Sequence, residues 1–407
     1  MRLQDYKKFV TAAFAANTRR GFADWRDCGN LCMDVIGILE GAKEGLCEEG
    51  RYADLFHLCN LTYVKWGNTD KDDSNGETQE FCACVYDIWE TIYQDGESDL
   101  SHEKMLETFL KHLDGRVIDY MEDEIYDFVL AHFKSDDELA KKERFLLKVM
   151  DDLKVRIQEK EVTEYSLYVK EHYYVRILAD QHRPIEKIRG FLNSRDSYSN
   201  KKLLAQIEAE YGNYDEAIAL YKELIEDRPD AYWADGHRKA LMEIYKAQGN
   251  TEAYNGELYN MMMAHPGNDQ YYLEYKALFT EEEWNDKWGK ILEAYADKLP
   301  AINLWLSIEG RYDLIMDNAE PDKAYVIDEY GKKLFKLYPE RCFKVLANAA
   351  DRQARLSKNR RDYKRIAQIL RKIAAHSGGK ELAAELAAKY RAQYPRRTAM
   401  IDELKKF

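Results

Sequence analysis

Six of the seven cysteines lie before residue 90, and thiols are the side chains here with the widest chemistry. Cys28 and Cys32 are four residues apart, so on a helix they would share a face and could approach one metal ion. Cys82 and Cys84 are two apart and would diverge on a helix. Cysteine is also among the most frequently buried residue types. We therefore predict buried, reduced thiols without disulfides, and assign no metal ligand and no cofactor.

An acidic stretch, "DKDDSNGETQEF" at residues 70–81, has the composition of a calcium loop. An EF-hand needs oxygen ligands at loop positions 1, 3 and 5, Gly at 6 and Glu at 12. With Gly76 at position 6, position 1 is Lys71 and position 12 is Cys82. The spacing excludes an EF-hand, and the stretch is predicted to be a solvated connector between helices.

Catalytic constellations are missing from the sequence. The nine histidines are scattered, and no His-Glu-x-x-His pair, Gly-x-Ser-x-Gly elbow, phosphate-binding Walker loop or Gly-x-Gly-x-x-Gly occurs. The sequence therefore predicts that the protein is not an enzyme.

The most basic stretch is "NRRDYKRIAQILRKI" at residues 359–373. At 100° per residue, one apolar stripe is formed by Tyr363, Ile366, Ala367, Leu370, Ile373 and Ala374. The neighbouring face carries Arg360, Arg361, Lys364, Arg365, Arg371 and Lys372. This pattern predicts a packed helix with a basic outer side.

Charge is unevenly distributed along the chain. Residues 322–407 carry 22 Lys and Arg against 10 Asp and Glu, whereas the whole chain has a formal net charge of -13. Such asymmetry is typical of proteins that meet nucleic acid or an acidic partner, and it also allows attraction between the two ends of one chain. Simple solvation of a helical surface remains an alternative.

Composition indicates the elements that carry these residues. The chain has 407 residues, 45% of them apolar and 33% charged, with 21 Gly and only 7 Pro. Such a sequence favours helices over sheets. No apolar run approaches the roughly 20 residues that cross a bilayer, and the start has no export signal, so we predict a cytoplasmic protein without a membrane partner.

An internal repeat is clearest in "LLAQIEAEYGNYDEAIALYKELIEDRP" at residues 203–229. Gly212 and Gly249 are 37 residues apart, as are Pro229 and Pro266. The positions at which tetratricopeptide hairpins place their packing residues are occupied by Leu204, Ala217, Tyr221 and Pro229. A Gly-Arg-Tyr turn recurs at residues 50–52 and 310–312.

These repeats predict an all-α fold in which tetratricopeptide-like helical-hairpin repeats form an α-solenoid with an N-terminal helical layer. A compact all-helical bundle is the main alternative. Residues 154–164 are highly charged with few apolar anchors. We therefore predict an N-terminal helical domain at 1–155 and a repeat domain with a basic end at 156–407.

Tyrosine is abundant, with 30 residues, and it clusters in "HYYVRIL" and "DQYYLEY". In a groove, tyrosines suit peptide recognition, and in helical repeats they more often pack between helices. We favour packing.

A distinctive series of motifs lies at residues 362–404, "DYKRIAQILRKIAAHSGGKELAAELAAKYRAQYPRRTAMIDEL". A basic helix, the Gly378-Gly379 break and "YPRR" at residues 394–397 follow one another. This resembles the C-terminal helical region of bacterial SWIM zinc finger proteins. The zinc motif of that family needs Cys-x-Cys followed by Cys-x-His, and this chain has Cys82 and Cys84 but no Cys-x-His. The resemblance therefore implies the helical region without the finger, and no zinc.

Together these features predict a non-catalytic protein-binding scaffold or adaptor in a bacterial cytoplasm. A protein partner would be bound by Arg360, Arg361, Lys364, Arg365, Arg371, Lys372, Arg396 and Arg397. One alternative is a nucleic-acid-binding or defence-associated accessory protein that uses the same basic face. A peptide-responsive regulator is another.

Overall fold

The computed structural model describes residues 1–96 and 98–407, and it is all-α, as the sequence predicts. In that part of the chain there are 22 α-helices, one 3-10 helix and two short strands. The strands, β1 (Phe22–Ala23) and β2 (Asp70–Lys71), pair in parallel. The chain forms two compact units, residues 1–220 and 221–407.

The first unit contains ten complete helices. They are α1 Leu3–Asn17, α2 Trp25–Glu48, α3 Tyr52–Gly67, α4 Glu77–Gln94, α5 His102–Leu113, α6 Asp119–Ala131, α7 Asp136–Gln158, α8 Glu164–Asp180, α9 Ile185–Leu192 and α10 Tyr198–Glu210. The boundary between the units falls within α11 (Tyr214–Asp227).

The second unit continues with shorter helices and one 3-10 segment, Ala296–Ile302. Its α-helices are α12 Ala231–Gln248, α13 Thr251–Ala264, α14 Asp269–Lys276, α15 Glu281–Ala294, α16 Asn303–Ile308, α17 Tyr312–Ala319, α18 Ala324–Leu337, α19 Pro339–Leu356, α20 Arg360–Ala374, α21 Gly379–Gln393 and α22 Thr398–Glu403.

Each unit has its own hydrophobic core, and large aromatic side chains pack against one another in both. In the first unit, Trp66 stacks on Phe81 with ring centroids 4.6 Å apart, and Trp89 meets a neighbouring phenylalanine edge-on. In the second, Tyr272 stacks on Trp305 at 5.0 Å. Within the units, consecutive helices pack on one another, for example α12 on α13 and α20 on both α19 and α21. Each hairpin therefore buries its apolar face on its neighbours, the arrangement of an α-solenoid.

Four hairpin turns share one backbone design, which confirms the repeat pattern read from the sequence. Their glycines all have positive φ, namely Gly50 at 68°, Gly212 at 78°, Gly249 at 68° and Gly310 at 70°. In each, the next residue donates its N–H to a carbonyl five residues back, and these bonds are Arg51 to Leu46, Asn213 to Glu208, Asn250 to Tyr245 and Arg311 to Leu306. This is a Schellman helix end, which favours glycine because a side chain is strained at positive φ.

Three of the four predicted packing positions of the repeat are buried, whereas the fourth, Pro229, is exposed. Ala217 is completely buried, and Leu204 and Tyr221 are each 5% exposed. The positions 37 residues beyond Leu204 and Tyr221 hold Leu241 and Leu258, both completely buried. At these two positions, burial therefore recurs with the same 37-residue period as the sequence.

The predicted boundary at residues 155/156 lies inside α7 and well within the first unit. Helix α7 packs along α8, and the buried ammonium of Lys142 on α7 donates to the carbonyls of Val129 and His132 at 3.1 Å. High charge at 154–164 marks the exposed end of a packed helix and not a division between domains. The first unit therefore extends to residue 220.

In the described part of the chain, none of the helices combines the length and apolar composition that spanning a bilayer requires.

Candidate functional site

The basic helix predicted at residues 359–373 is α20, and a local hydrogen bond fixes where it begins. Asn359 caps it, because the Asn359 Oδ1 accepts a hydrogen bond from the Asp362 N–H at 3.0 Å. The predicted apolar stripe is buried at Tyr363, Ile366, Ala367, Leu370 and Ile373. Helices α19, α21 and α22 cover that stripe. The basic residues are thereby left on the outer side, where all six are exposed.

Some of these basic residues are paired within the molecule. The Arg360 guanidinium donates to Glu403 at 2.7 Å and to Asp402 at 2.8 Å. The bond to Glu403 also raises the pKa of Arg360 above its usual value. The Lys372 ammonium donates to Asp328 at 2.5 Å. For these two residues, binding a partner would compete with existing ion pairs.

Three basic residues of α20 have no ion pair among residues 1–96 and 98–407, and we call Arg361, Lys364 and Arg371 the cationic row. They lie at positions i, i+3 and i+10 of the helix, which is a line about 15 Å long at 1.5 Å per residue. Arg365 flanks the row, and its guanidinium lies 3.9 Å from the Asp362 carboxylate, a distance typical of a weak pair.

The two arginines of the "YPRR" motif have different environments. The Arg397 guanidinium donates to the carbonyl of Ala354 at 2.6 Å and lies 4.2 Å from the centre of the Tyr394 ring. Arg396 is exposed and forms no ion pair in the part of the chain that the structure describes. Arg397 therefore holds the end of α19, whereas Arg396 can reach a partner.

The glycine pair between α20 and α21 has a steric cause. Gly378 has a φ of 79° and occupies the cap position of α21. A Cβ atom on Gly379 would lie 1.9 Å from the carbonyl oxygen of Ile373. The close approach of α21 to the end of α20 therefore requires glycine at 379.

The tyrosine clusters pack between helices, as we favoured. Tyr272 is completely buried, and Tyr174 and Tyr275 are each 7% exposed. Tyr173 stacks on Tyr126 with ring centroids 4.5 Å apart. These residues do not form an exposed peptide groove.

All seven cysteines are free thiols, and six belong to the first unit. Burial raises the pKa of Cys28 to about 11, and that of Cys32 and Cys82 to about 12. These thiols are therefore neutral at pH 7 and weak nucleophiles.

The connector between α3 and α4 departs from the prediction of a solvated loop. Glu77, which belongs to the predicted stretch at residues 70–81 and begins α4, is 7% exposed, so that part of the prediction is wrong. The Cys28 sulfur and carboxylate oxygens of Asp73 and Glu77 all lie within 4.8 Å of one another. Cys28 and Glu77 are 49 residues apart, so spacing alone gave no signal of this cluster.

Two shallow cavities lie in the first unit. One, of about 320 Å³, is lined by Lys134, Arg176 and Asp180, whose charges already pair with one another. The other, of about 530 Å³, is lined by acidic residues that include Asp87 and Glu124. Neither resembles the apolar pocket typical of a small-molecule site.

No protein-family model and no curated protein matches the chain. Two chains of solved structures match, one of them from a structure titled "Structure of Naa15/Naa10 bound to HypK-THB". That match has 14% identity and a TM-score of 0.29, and it covers 99% of this chain and 65% of the other. The chain thus spans just under two thirds of that neighbour's length.

Proposed function

We propose that this protein is a non-catalytic scaffold that binds an acidic segment of another protein through the cationic row of α20. One observation carries the proposal: Arg361, Lys364 and Arg371 are exposed on one helix face without ion pairs in the described residues, while Arg360 and Lys372 beside them are paired. The opposite side of α20 is buried against α19, α21 and α22.

Free cations on a rigid helix favour association with an acidic surface. They require no internal pair to be broken, and their field steers an oppositely charged partner during encounter. Exposed charges are screened by salt, so this binding should weaken as ionic strength rises. Arg396, exposed on the same unit, is a candidate to extend the contact.

Nucleic acid is the second candidate, because the same cations suit phosphates. Single-stranded nucleic acid is usually held by aromatic side chains as well, on which bases stack. The one aromatic residue of α20, Tyr363, is 6% exposed and lies on the packed side. This placement supports protein over nucleic acid.

The test uses a row variant, Arg361→Glu with Lys364→Glu and Arg371→Glu. Its control variant, Lys332→Glu with Lys333→Glu and Lys336→Glu, makes the same charge change at exposed positions of α18. Fluorescence anisotropy measures binding of a labelled poly-glutamate peptide and of a labelled single-stranded DNA to the full chain. Capture of proteins from nuclease-treated lysate, quantified by mass spectrometry, extends the measurement to natural partners.

We expect the row variant to bind the peptide roughly ten- to a hundredfold more weakly, because three charge contacts are reversed. The control variant should bind nearly as well as the original chain. Equal losses in both variants would mean that net charge alone attracts the peptide, and would reject the row. Row-dependent DNA binding without peptide binding would establish the second candidate instead.

A further inference from the structure

A cluster of potential metal ligands lies in the first unit, away from α20. Cys28 lies in the first turn of α2, Asp73 lies in the connector and Glu77 begins α4. Their ligand atoms all lie within 4.8 Å of one another. Cys28 is completely buried and Glu77 is 7% exposed, whereas Asp73 remains accessible to solvent. One side of the cluster is thus closed by protein and the other is open to an entering ion.

Backbone pairing brings the connector to α2. Strand β1, which precedes α2, pairs in parallel with β2, which begins the connector. The Asp72 N–H adds a bond to the carbonyl of Ala23 at 2.9 Å. On the far side, the Cys32 thiol donates to the backbone carbonyl of Glu77 at 3.4 Å. The cluster is therefore held from both ends.

Among residues 1–96 and 98–407, one carboxylate oxygen of Glu77 lacks a hydrogen-bond partner. Glu77 Oε1 accepts a bond from the Asn75 amide at 2.9 Å, but the buried Glu77 Oε2 has none. Leaving a buried polar atom unpaired costs free energy, so such an atom calls for an explanation. The N-terminus of α4 attracts carboxylates and accounts for Asp73, whose Oδ1 accepts from the Thr78 N–H at 2.8 Å. It does not account for Glu77 Oε2.

The ammonium group of Lys71, in the connector, does not supply the partner that Glu77 Oε2 lacks. The Lys71 ammonium donates to the carbonyls of Trp66 at 2.8 Å and Thr69 at 3.1 Å. Among residues 1–96 and 98–407, no ion pair joins Lys71 to Asp73 or Glu77. A bound cation would satisfy the unpaired oxygen and offset two carboxylates placed side by side.

We propose that Cys28, Asp73 and Glu77 bind one divalent transition-metal ion of the Zn²⁺ class. One thiolate and two carboxylates suit zinc, whereas calcium and magnesium bind oxygen ligands only. On binding, the Cys28 thiol loses its proton to solvent and its sulfur becomes a metal ligand. With bonds of about 2.3 Å to sulfur and 2.0 Å to oxygen, tetrahedral ligand atoms lie roughly 3.5 Å apart, so the separations between these ligand atoms shorten by up to about 1.3 Å. Water completes the fourth position on the open side.

The metal ties the connector to α2, and its role is structural. The proposal is independent of partner binding by the cationic row, because the two sites lie in different units.

The probe is Co²⁺, added to the full-length chain without oxygen. A cobalt–thiolate bond gives a charge-transfer absorption in the near ultraviolet, and we expect it to saturate at one ion per chain and to disappear when Zn²⁺ is added. Cys28→Ala should abolish the band. Asp73→Asn retains the oxygen that caps Thr78 and removes a ligand charge, and Glu77→Gln keeps the volume of the side chain. Both variants should bind the metal at least about tenfold more weakly. Tenfold is the lower end of the loss caused by mutating residues that only hydrogen-bond to metal ligands, and direct ligands should matter at least as much.

Cys84→Ser is the matched control, since Cys84 lies on α4 outside the cluster. It should leave the absorption and the affinity unchanged. No charge-transfer band in the original chain overturns the proposal, and so does a band that survives Cys28→Ala or is lost in Cys84→Ser. If Cys28→Ala fails to fold by circular dichroism, unchanged affinity in Asp73→Asn and Glu77→Gln overturns the proposal by itself.

Discussion

Lys142 on α7 and Lys364 on α20 are lysines on amphipathic helices, and their surroundings differ completely. Lys142 is 1% exposed, its ammonium is held by two backbone carbonyls, and burial lowers its pKa to about 8. Lys364 is exposed and belongs to the cationic row. The first unit therefore encloses ionisable groups whose charge state depends on folding, whereas α20 displays charges that are available to partners.

Other residues extend this contrast. The first unit also buries His112 and Glu77, and among the residues that the structure describes neither the His112 ring nitrogens nor the Glu77 Oε2 has a hydrogen-bond partner. On α20, by comparison, all the basic side chains reach solvent. We therefore expect pH to act on the stability of the first unit and salt to act on binding by α20.

The largest effect concerns Gly379, the first residue of α21, and it is compared with Gly76, the N-cap residue of α4. Gly379→Ala should lower the free energy of unfolding by about 3 kcal/mol or more, because its Cβ would clash with the Ile373 carbonyl oxygen at 1.9 Å. Gly76→Ala is the control: Gly76 has a φ of 87° but open space around it, so strain alone costs about 1 kcal/mol. Urea denaturation measures both. Equal losses would show that α21 does not depend on close approach.

Acid should weaken the first unit through His112. Burial lowers the pKa of His112 to about 4, whereas in the unfolded chain histidine titrates near 6.5. Between these values the unfolded state binds the proton and the folded state does not. The free energy of unfolding should therefore fall by up to about 3 kcal/mol as pH decreases from 6.5 to 4. His112→Leu should remove this component in urea titrations across that range, and an identical pH slope in the variant would contradict it.

Alkali should act on Lys142 with the same sign as for His112, so that stability again rises with pH. Its pKa of about 8 in the folded protein is below its ordinary 10.5, so within this window the unfolded chain binds the proton and the folded chain does not. Stability should rise by about 2 kcal/mol from pH 8 to 9.5 relative to Lys142→Met. Parallel urea titrations of the two proteins measure this difference. A constant difference over that range would show that Lys142 stays charged inside the fold.

A smaller effect separates neighbouring arginines. Arg397→Ala should cost about 1–2 kcal/mol, because it removes a charged donor from the Ala354 carbonyl and a cation from the Tyr394 ring. Arg396→Ala should change stability by less than about 0.5 kcal/mol, since its side chain is exposed. Thermal unfolding of the two variants compares them directly. The reverse order would mean that Arg396 holds the C-terminal helices.

The smallest effect on stability is expected from the row variant. Reversing Arg361, Lys364 and Arg371 should change the free energy of unfolding by about 0.5 kcal/mol or less, since all three are exposed and none forms an ion pair within the described residues. Loss of binding in that variant would then be a loss of contacts and not of structure. A large destabilisation measured by urea denaturation would show that these three residues also stabilise the fold. Loss of binding could then not be assigned to lost contacts.

Local features of the fold could be predicted from the sequence with good accuracy. Tyr363 and Leu370 mark a stripe that is buried as periodicity indicated, and Gly212 and Gly249 end helices at positive φ as the repeat indicated. These features depend on helix geometry and on the strain of side chains at positive φ, and both act within a few residues.

The boundary at 155/156 and the solvated connector were predicted less well. Both were inferred from local charge, but exposure of charged residues along one side of α7 does not mean that its other side is free. Likewise, the acidic composition of the connector did not indicate that Glu77 enters the core beside Cys28.

The sequence by itself determined that this protein is helical, that its hairpins repeat and that α20 has one apolar and one basic side, because these properties follow from the spacing of residues along a single helix. Only the tertiary structure decided that Arg360 is held by Glu403 while Arg361 has no ion pair in the described part of the chain, and that Cys28 and Glu77 converge. Those outcomes join residues more than 40 positions apart, and which of them meet depends on how whole helices pack.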